Sequence, residues 1–186
     1  MKNLVLLLFL SLACLNSYSQ DIPEFYISEI GFANTQDNEK DYIVYEISEK
    51  SATELYQLTL TVLSKIYRSP QKALSLVEGK LISINAYAEN VMFFKHENEI
   101  LKTTKTYRCS IDYTFIVEFK DDKIKFDSPE IHKIYLEGVS STLSNASFLM
   151  ALRSELEKNN ILAEYFNQII KTIYDYIVNP QEVDVW

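Results

Sequence analysis

The chain has 186 residues, 47% of them hydrophobic, with 18 Lys and Arg against 26 Asp and Glu, for a formal net charge of −8 at pH 7. That length and apolar content suit one packed domain rather than a disordered chain. So acidic a chain, with no basic stripe along it, repels phosphate backbones, which argues against nucleic-acid binding.

The elements follow in chain order. Lys2, the apolar run from Leu4 to Leu15 and the small residues Ser17 and Ser19 have the build of a secretory signal peptide spanning residues 1–19. About twelve apolar residues are fewer than the roughly twenty a membrane-crossing helix needs, and no later stretch approaches that length. The expectation is an exported protein, periplasmic or extracellular, that does not span the membrane. The alternative is a lipoprotein anchored through Cys14, which Ala13 precedes with a small side chain. Residues 20–186 then form one α+β domain with its core at about 41–178. Its lone thiol, Cys109, allows no internal disulfide.

Residues 20–32 have room for a short strand, 33–41 read as a polar loop, and Tyr42 to Ile47 read as a strand. Ser51-Ala52-Thr53-Glu54 is a capping box, and behind it Leu55, Tyr56, Val62, Leu63 and Ile66 recur at helical spacing. This predicts a helix over about 51–67, ended by Ser69-Pro70. Leu74 to Val77 and Lys80 to Ala88 read as strands joined by Glu78-Gly79, the glycine being free to take a positive φ. Val91 to Phe94 is another strand or the continuation of the last.

Period-two alternation is clearest from Tyr107 to Phe119. Every odd residue is apolar or aromatic, and the even ones are polar except Ile116, so one face meets a core and the other meets water. A two-residue turn at Asp121-Asp122 puts Phe119 opposite Ile124 and Val117 opposite Phe126, in agreement with the pattern. Cys109 falls on the apolar face, where a buried inert thiol is the expectation. Lys133 to Glu137 reads as a last strand after Pro129. A small-residue loop follows at 138–144, then a helix capped by Asn145 over about 146–178, broken near residues 159–160. Its second part carries Ile161, Leu162, Tyr165, Phe166, Ile169, Ile170, Ile173, Tyr174 and Ile177, a stripe wide enough to need a sheet or second helix over it. Pro180 closes it, and Trp186 ends a loose tail.

This order makes a two-layer α+β fold: an antiparallel curved sheet of about five strands packed by an N-terminal helix and a long C-terminal one. The helix start Ser51-Ala-Thr-Glu-Leu-Tyr56, the segment Glu78-Gly-Lys-Leu-Ile82 and the hairpin from Tyr113 to Phe126 are similar to the family numbered 4468 among domains of unknown function. That family is described as having a TATA-binding-protein-like fold, and the likeness covers roughly residues 41–137. Asp122 stands where a turn glycine is usual in the family, and the first helix lacks its tryptophan. The resemblance implies a helix-on-curved-sheet fold in exported proteins and supplies no activity, cofactor or site residue.

Chemistry is sparse. His96-Glu97 lacks the second histidine of a metalloprotease helix. Glu130 and His132, two apart on a strand, share a face but have no identifiable third metal ligand. Ser140, Ser141 and Ser144 lie near His132 in sequence with no elbow motif around them. Asp121-Asp122 reads as a turn rather than a carboxylate dyad. Among the tyrosines, Tyr42, Tyr87 and Tyr176 are candidates for a surface patch. The sequence therefore points to a non-catalytic protein with no cofactor, binding a protein partner or an apolar ligand in a cleft between terminal helix and sheet. The alternative is a hydrolase using His132 with Glu130 or a nearby serine.

Overall fold

The long alternating run builds the spine of the molecule. The computed structural model describes residues 22–29, 31–98, 102–137 and 160–179. The predicted leader with Cys14, the loop with Ser140, Ser141 and Ser144, the Asn145 cap and helix start, and Pro180 to Trp186 lie outside them. In chain order the elements are β1 (Phe25–Ser28), β2 (Gly31–Asn34), β3 (Tyr42–Glu46), α1 (Ala52–Ile66), α2 (Pro70–Ala73) and β4 (Leu74–Val77). There follow β5 (Leu81–Asn98), β6 (Thr103–Lys120), β7 (Lys123–Asp127), β8 (Glu130–Leu136) and α3 (Ile161–Val178).

Six strands form one antiparallel sheet in the order β3-β7-β6-β5-β4, with β8 paired to β6 upstream of β7. The expected register of the β6–β7 hairpin is present: Phe119 faces Ile124 and Val117 faces Phe126. Asp122, where a glycine was the family's habit, takes φ +60°. Its neighbourhood explains the pair of acids. Asp121 Oδ1 accepts the Ala52 N–H at the start of α1 (2.9 Å), and Asp122 Oδ1 accepts the Lys50 N–H (3.2 Å). The two carboxylates tie the hairpin tip to the N-terminus of α1, where the helix dipole favours negative charge. The pair sits in the expected turn.

The odd residues from Cys109 to Phe119 are buried under the two long helices, while Tyr107 is only half-buried. Helix α1 starts at the predicted capping box, with Ser51 Oγ accepting the Glu54 N–H and Glu54 Oε2 accepting the Ser51 N–H. It turns Leu55, Tyr56, Val62 and Leu63 inward. Helix α3 buries Leu162, Phe166, Ile169, Ile170, Ile173 and Ile177. The helices lie against each other and on the same face of the sheet. This is a two-layer α+β arrangement.

The sheet, expected with about five strands, has six. Residues 33 and 34, read as the start of a loop, belong to β2, which pairs with β1 in a separate hairpin. Pro70 does end α1, but its fixed φ and missing N–H also suit the first position of the four-residue helix α2. The last strand begins at Glu130 rather than Lys133. Opposite Asp112 and Tyr113, β8 carries one extra residue, His132, so its buried Ile131 and Ile134 stand three apart. Val91 to Phe94 continues β5, after a register shift between Ala88 and Met92 where Asn90 takes φ +56°.

The β1 edge is closed by side chains rather than by a strand. Asn167 Oδ1 accepts the Phe25 N–H and its Nδ2 donates to the Phe25 carbonyl, both at 2.8 Å, while Asn160 Oδ1 accepts the Ile27 N–H at 3.1 Å. Asn160 stands at the N-cap of α3 and Asn167 about two turns into it, and together they imitate a ladder partner.

One buried group lacks compensation. Thr59 is fully buried on α1, and its Oγ1 is, among the described residues, a buried side-chain oxygen without a hydrogen-bond partner. Such a hydroxyl carries its desolvation cost for nothing. Thr59→Val keeps the shape and removes the hydroxyl. It is expected to stabilise the fold by about 1 kcal/mol and to raise the melting temperature by roughly 2–4 °C. A loss of stability on substitution would show that the hydroxyl has a partner in solution.

Candidate functional site

Among the described residues both long helices lie on one face of the sheet and no element packs on the other, which carries its own side chains. In β6 that face carries the even residues Ser110, Asp112, Thr114, Ile116 and Glu118, all partly exposed. The antiparallel register brings Asn85 of β5 and Glu130 of β8 directly opposite Thr114 on either side, and Tyr87 opposite Asp112.

A row of hydrogen bonds crosses three strands here. Asn85 Nδ2 donates to Ser83 Oγ (3.3 Å), and Thr114 Oγ1 donates to Asn85 Oδ1 (2.8 Å). Thr114 Oγ1 also lies 2.7 Å from His132 Nε2. The single hydroxyl proton is already directed at Asn85, so in this arrangement Nε2–H is the donor to Thr114. His132 Nδ1 lies 3.7 Å from Glu130 Oε1. The β8 bulge at His132 delivers the imidazole to Thr114.

Beside the row stands an aromatic pair. Tyr87 and Tyr135 meet edge to face, centroids 5.6 Å apart, and Tyr135 Oη donates to Asp112 Oδ2. That carboxylate holds the Tyr135 phenol above its usual range, because ionising it would set two negative oxygens together. Tyr87 is 52% exposed, and Phe93, opposite Arg108 on the same face, is 54% exposed.

The expected site residues separate accordingly. Glu130 and His132 come together, and with them Thr114 and Asn85, which the sequence reading did not single out. The signal was there: polar even positions of β6 as small as Ser110 and Thr114 leave space above the sheet. His96 is placed on β5 opposite Lys105, nine residues along β6 from Thr114, about 30 Å at strand rise, so the two histidines do not meet. Of the three surface tyrosines, Tyr87 stands open. Tyr42 and Tyr176 are half-buried beneath the ammonium groups of Lys125 and Lys65, at 5.1 and 5.0 Å from the ring centres. Cys109 is buried. Among the described residues no group of three or more His, Cys, Asp or Glu could hold a metal ion, and no helix is long and apolar enough to cross a membrane.

Among the described residues, the boundary between α3 and the sheet, where a cleft was expected, is packed with aromatic side chains. Tyr67 from the end of α1, Tyr113 from β6 and Tyr165 from α3 meet there, with hydroxyl contacts of 2.8 and 3.3 Å. Phe166 packs its ring on Tyr113 and Phe115. A groove of about 370 Å³ does run beside α3, at the β1 edge. Glu24, Thr35, Asn160, Glu164 and Lys171 are among its walls, so it is polar rather than the apolar slot expected.

With this geometry in view, the comparisons are concise. Residues 42–135, from β3 into β8, match the family model described as "Domain of unknown function (DUF4468) with TBP-like fold". No curated protein sequence matches the chain. The fold is similar to the crystal structure of a TBP-like protein from Parabacteroides distasonis ATCC 8503. The TM-score is 0.53 at 12% identity, over 74% of this chain and 91% of that one. A DUF4468 family protein from Bacteroides ovatus ATCC 8483 is also similar, with a TM-score of 0.48 at 7% identity over 77% and 87%.

Proposed function

This chain belongs to the DUF4468 family with TBP-like fold, and from that premise we propose that it is a non-catalytic binding protein that recognises its partner or ligand on the uncovered face of the sheet. The observation that carries this reading is the pairing of exposed rings, Tyr87 and Phe93, with a pre-formed row of polar side chains on rigid strands. The filled helix–sheet boundary withdraws support from an apolar ligand there.

Thr114, His132 and Glu130 stand in the order hydroxyl, imidazole, carboxylate, which is the order of a hydrolase triad. Three features favour binding over catalysis. The Thr114 proton points to Asn85 rather than to the imidazole. Thr114 is paired on both sides within the sheet, so its own backbone is committed to the ladder rather than to an oxyanion. The surface is also open to water, which screens developing charge.

The proposal extends to location: the leader supports export, read out by mass spectrometry of the mature protein, with an N-terminus at Gln20 for cleavage or a diacylated Cys14 for the lipoprotein form. The test of function immobilises the wild type beside a Tyr87→Ser/Phe93→Ser double variant and exposes both to fractionated envelope extract. A component kept by the wild type and lost by the variant is the expected result. Equal retention by both sinks the assignment of this face, and ester or peptide hydrolysis that disappears in His132→Ala sinks the non-catalytic reading.

A further inference from the structure

We propose that the row Ser83, Asn85, Thr114, His132, with Tyr87 and Phe93 beside it, binds a neutral oligosaccharide. This rests on the reading that the uncovered face is the recognition surface, and it names the chemistry of the ligand.

Geometry comes first. Ser83, Asn85, Thr114 and His132 are joined through side-chain contacts of 2.7 to 3.3 Å, which fix their orientation before any ligand arrives. The row runs across the strands, from β5 over β6 to β8, about 10 Å at sheet spacing. Tyr87 and Phe93 stand opposite Asp112 and Arg108, four residues apart on β6, so the two rings are separated by about 13 Å along the strands. That is more than one sugar ring and fits a chain of them.

The chemistry of the surface selects among ligands. A sugar hydroxyl is donor and acceptor at once and pairs best with groups of both kinds. The second Asn85 N–H, the Ser83 hydroxyl and the Glu130 carboxylate supply that mixture within one patch. A pyranose also has an apolar C–H face, and an exposed aromatic ring is the side chain that covers such a face while leaving its rim wet. On this face Asp112 and Glu130 are matched by Lys133, opposite Asp112, and by Arg108, opposite Phe93, so the patch has no large excess of either sign to select an ionic ligand, and the −8 of the whole chain disfavours a phosphate or sulfate polymer. A protein interface needs a dry apolar centre, whereas here polar side chains occupy the middle and the rings lie apart at its margins.

The test uses the full mature chain, labelled with ¹⁵N, titrated with cellohexaose, xylohexaose, maltohexaose and chitohexaose. At least one of them is expected to bind with a dissociation constant of about 0.1–1 mM, typical of a shallow, solvated site. Amide shifts are expected to be confined to β5, β6 and β8 around residues 83–93, 108–114 and 130–135. Tyr87→Ala is expected to weaken binding about tenfold and Thr114→Val about fivefold, both with an unchanged spectrum elsewhere. No response to any of the four sugars, shifts mapping to another surface, or unaltered binding by both variants each overturns the proposal. If the sugars fail while the Tyr87→Ser/Phe93→Ser variant still loses a retained envelope component, the ligand class is wrong and the surface assignment survives. If both fail, the surface assignment goes too.

Discussion

Phe166→Ala is expected to cost about 3–5 kcal/mol of folding stability, at the upper end for a single core truncation. Phe166 is fully buried at the centre of an aromatic cluster, its ring 5.1 to 5.5 Å from those of Phe32, Tyr113, Phe115 and Tyr165. Those four rings come from three layers of the molecule: the N-terminal hairpin, the central strand and α3 itself. Truncation therefore leaves a cavity that no single side chain can collapse into, and it forfeits several edge-to-face contacts as well. Against a total of about 5–15 kcal/mol, the variant is left marginal. Urea unfolding followed by circular dichroism gives the number, and Phe166→Leu should lose distinctly less by keeping part of the volume. Since Phe32 contacts Phe166 while β1 is held by Asn160 and Asn167, amides in residues 25–34 should lose exchange protection first. A cost under about 1 kcal/mol would mean that the cluster repacks freely and is no hub.

The parts of the fold legible in the sequence were those whose signal is local. The β6–β7 hairpin was readable because a one-residue slip would turn Val117, Phe119, Ile124 and Phe126 outward, so the pattern alone fixes the register. The α1 start was readable because a capping box is a four-residue motif. What escaped were the irregularities. The extra residue His132 sets Ile131 and Ile134 three apart, which hides the first half of β8 from a search for period two. The register shift after Ala88 made one strand look like two.

For the hairpin β1–β2 the short strand was legible within residues 20–32, but its pairing and its anchorage were not, for another reason. It is held to α3 by side chains 133 to 142 residues distant in sequence, a pairing no local pattern encodes. The candidate site shows the same division. Glu130 and His132 were legible as a pair on one strand face, and Tyr87 separately as a surface aromatic. Asn85 and Thr114 gain meaning only once three strands are in register. At the expected helix–sheet cleft, the sequence shows which side chains face inward but not that Tyr67, Tyr113 and Tyr165 converge on one gap.

That same convergence predicts how the protein responds to alkali. Burial raises the phenols of Tyr45, Tyr113, Tyr67 and Tyr165 above their usual value of 10, because the phenolate cannot be solvated inside the core. The sign follows from linkage. Above about pH 10 the unfolded chain loses these protons while the folded one keeps them, so the unfolded state binds fewer protons and stability falls as pH rises. The contribution is fully present below the unfolded value and disappears above it. Tyr45 and Tyr113 are almost completely buried and should each contribute a slope of about 1.4 kcal/mol per pH unit, or roughly 3 kcal/mol together. Tyr67 and Tyr165, half-buried, add less. Urea midpoints should thus be flat through neutrality and drop steeply above about pH 10, with phenolate absorbance from these residues appearing only as near-ultraviolet dichroism is lost. Replacing Tyr113 by phenylalanine should make that decline shallower by about one phenol's share, even though it also removes the hydroxyl that lies between those of Tyr67 and Tyr165. A wild-type curve that stays level to the highest pH measured, or an unchanged slope in Tyr113→Phe, would show that these phenols ionise within the folded protein and that the helix–sheet boundary is wetter than its packing implies.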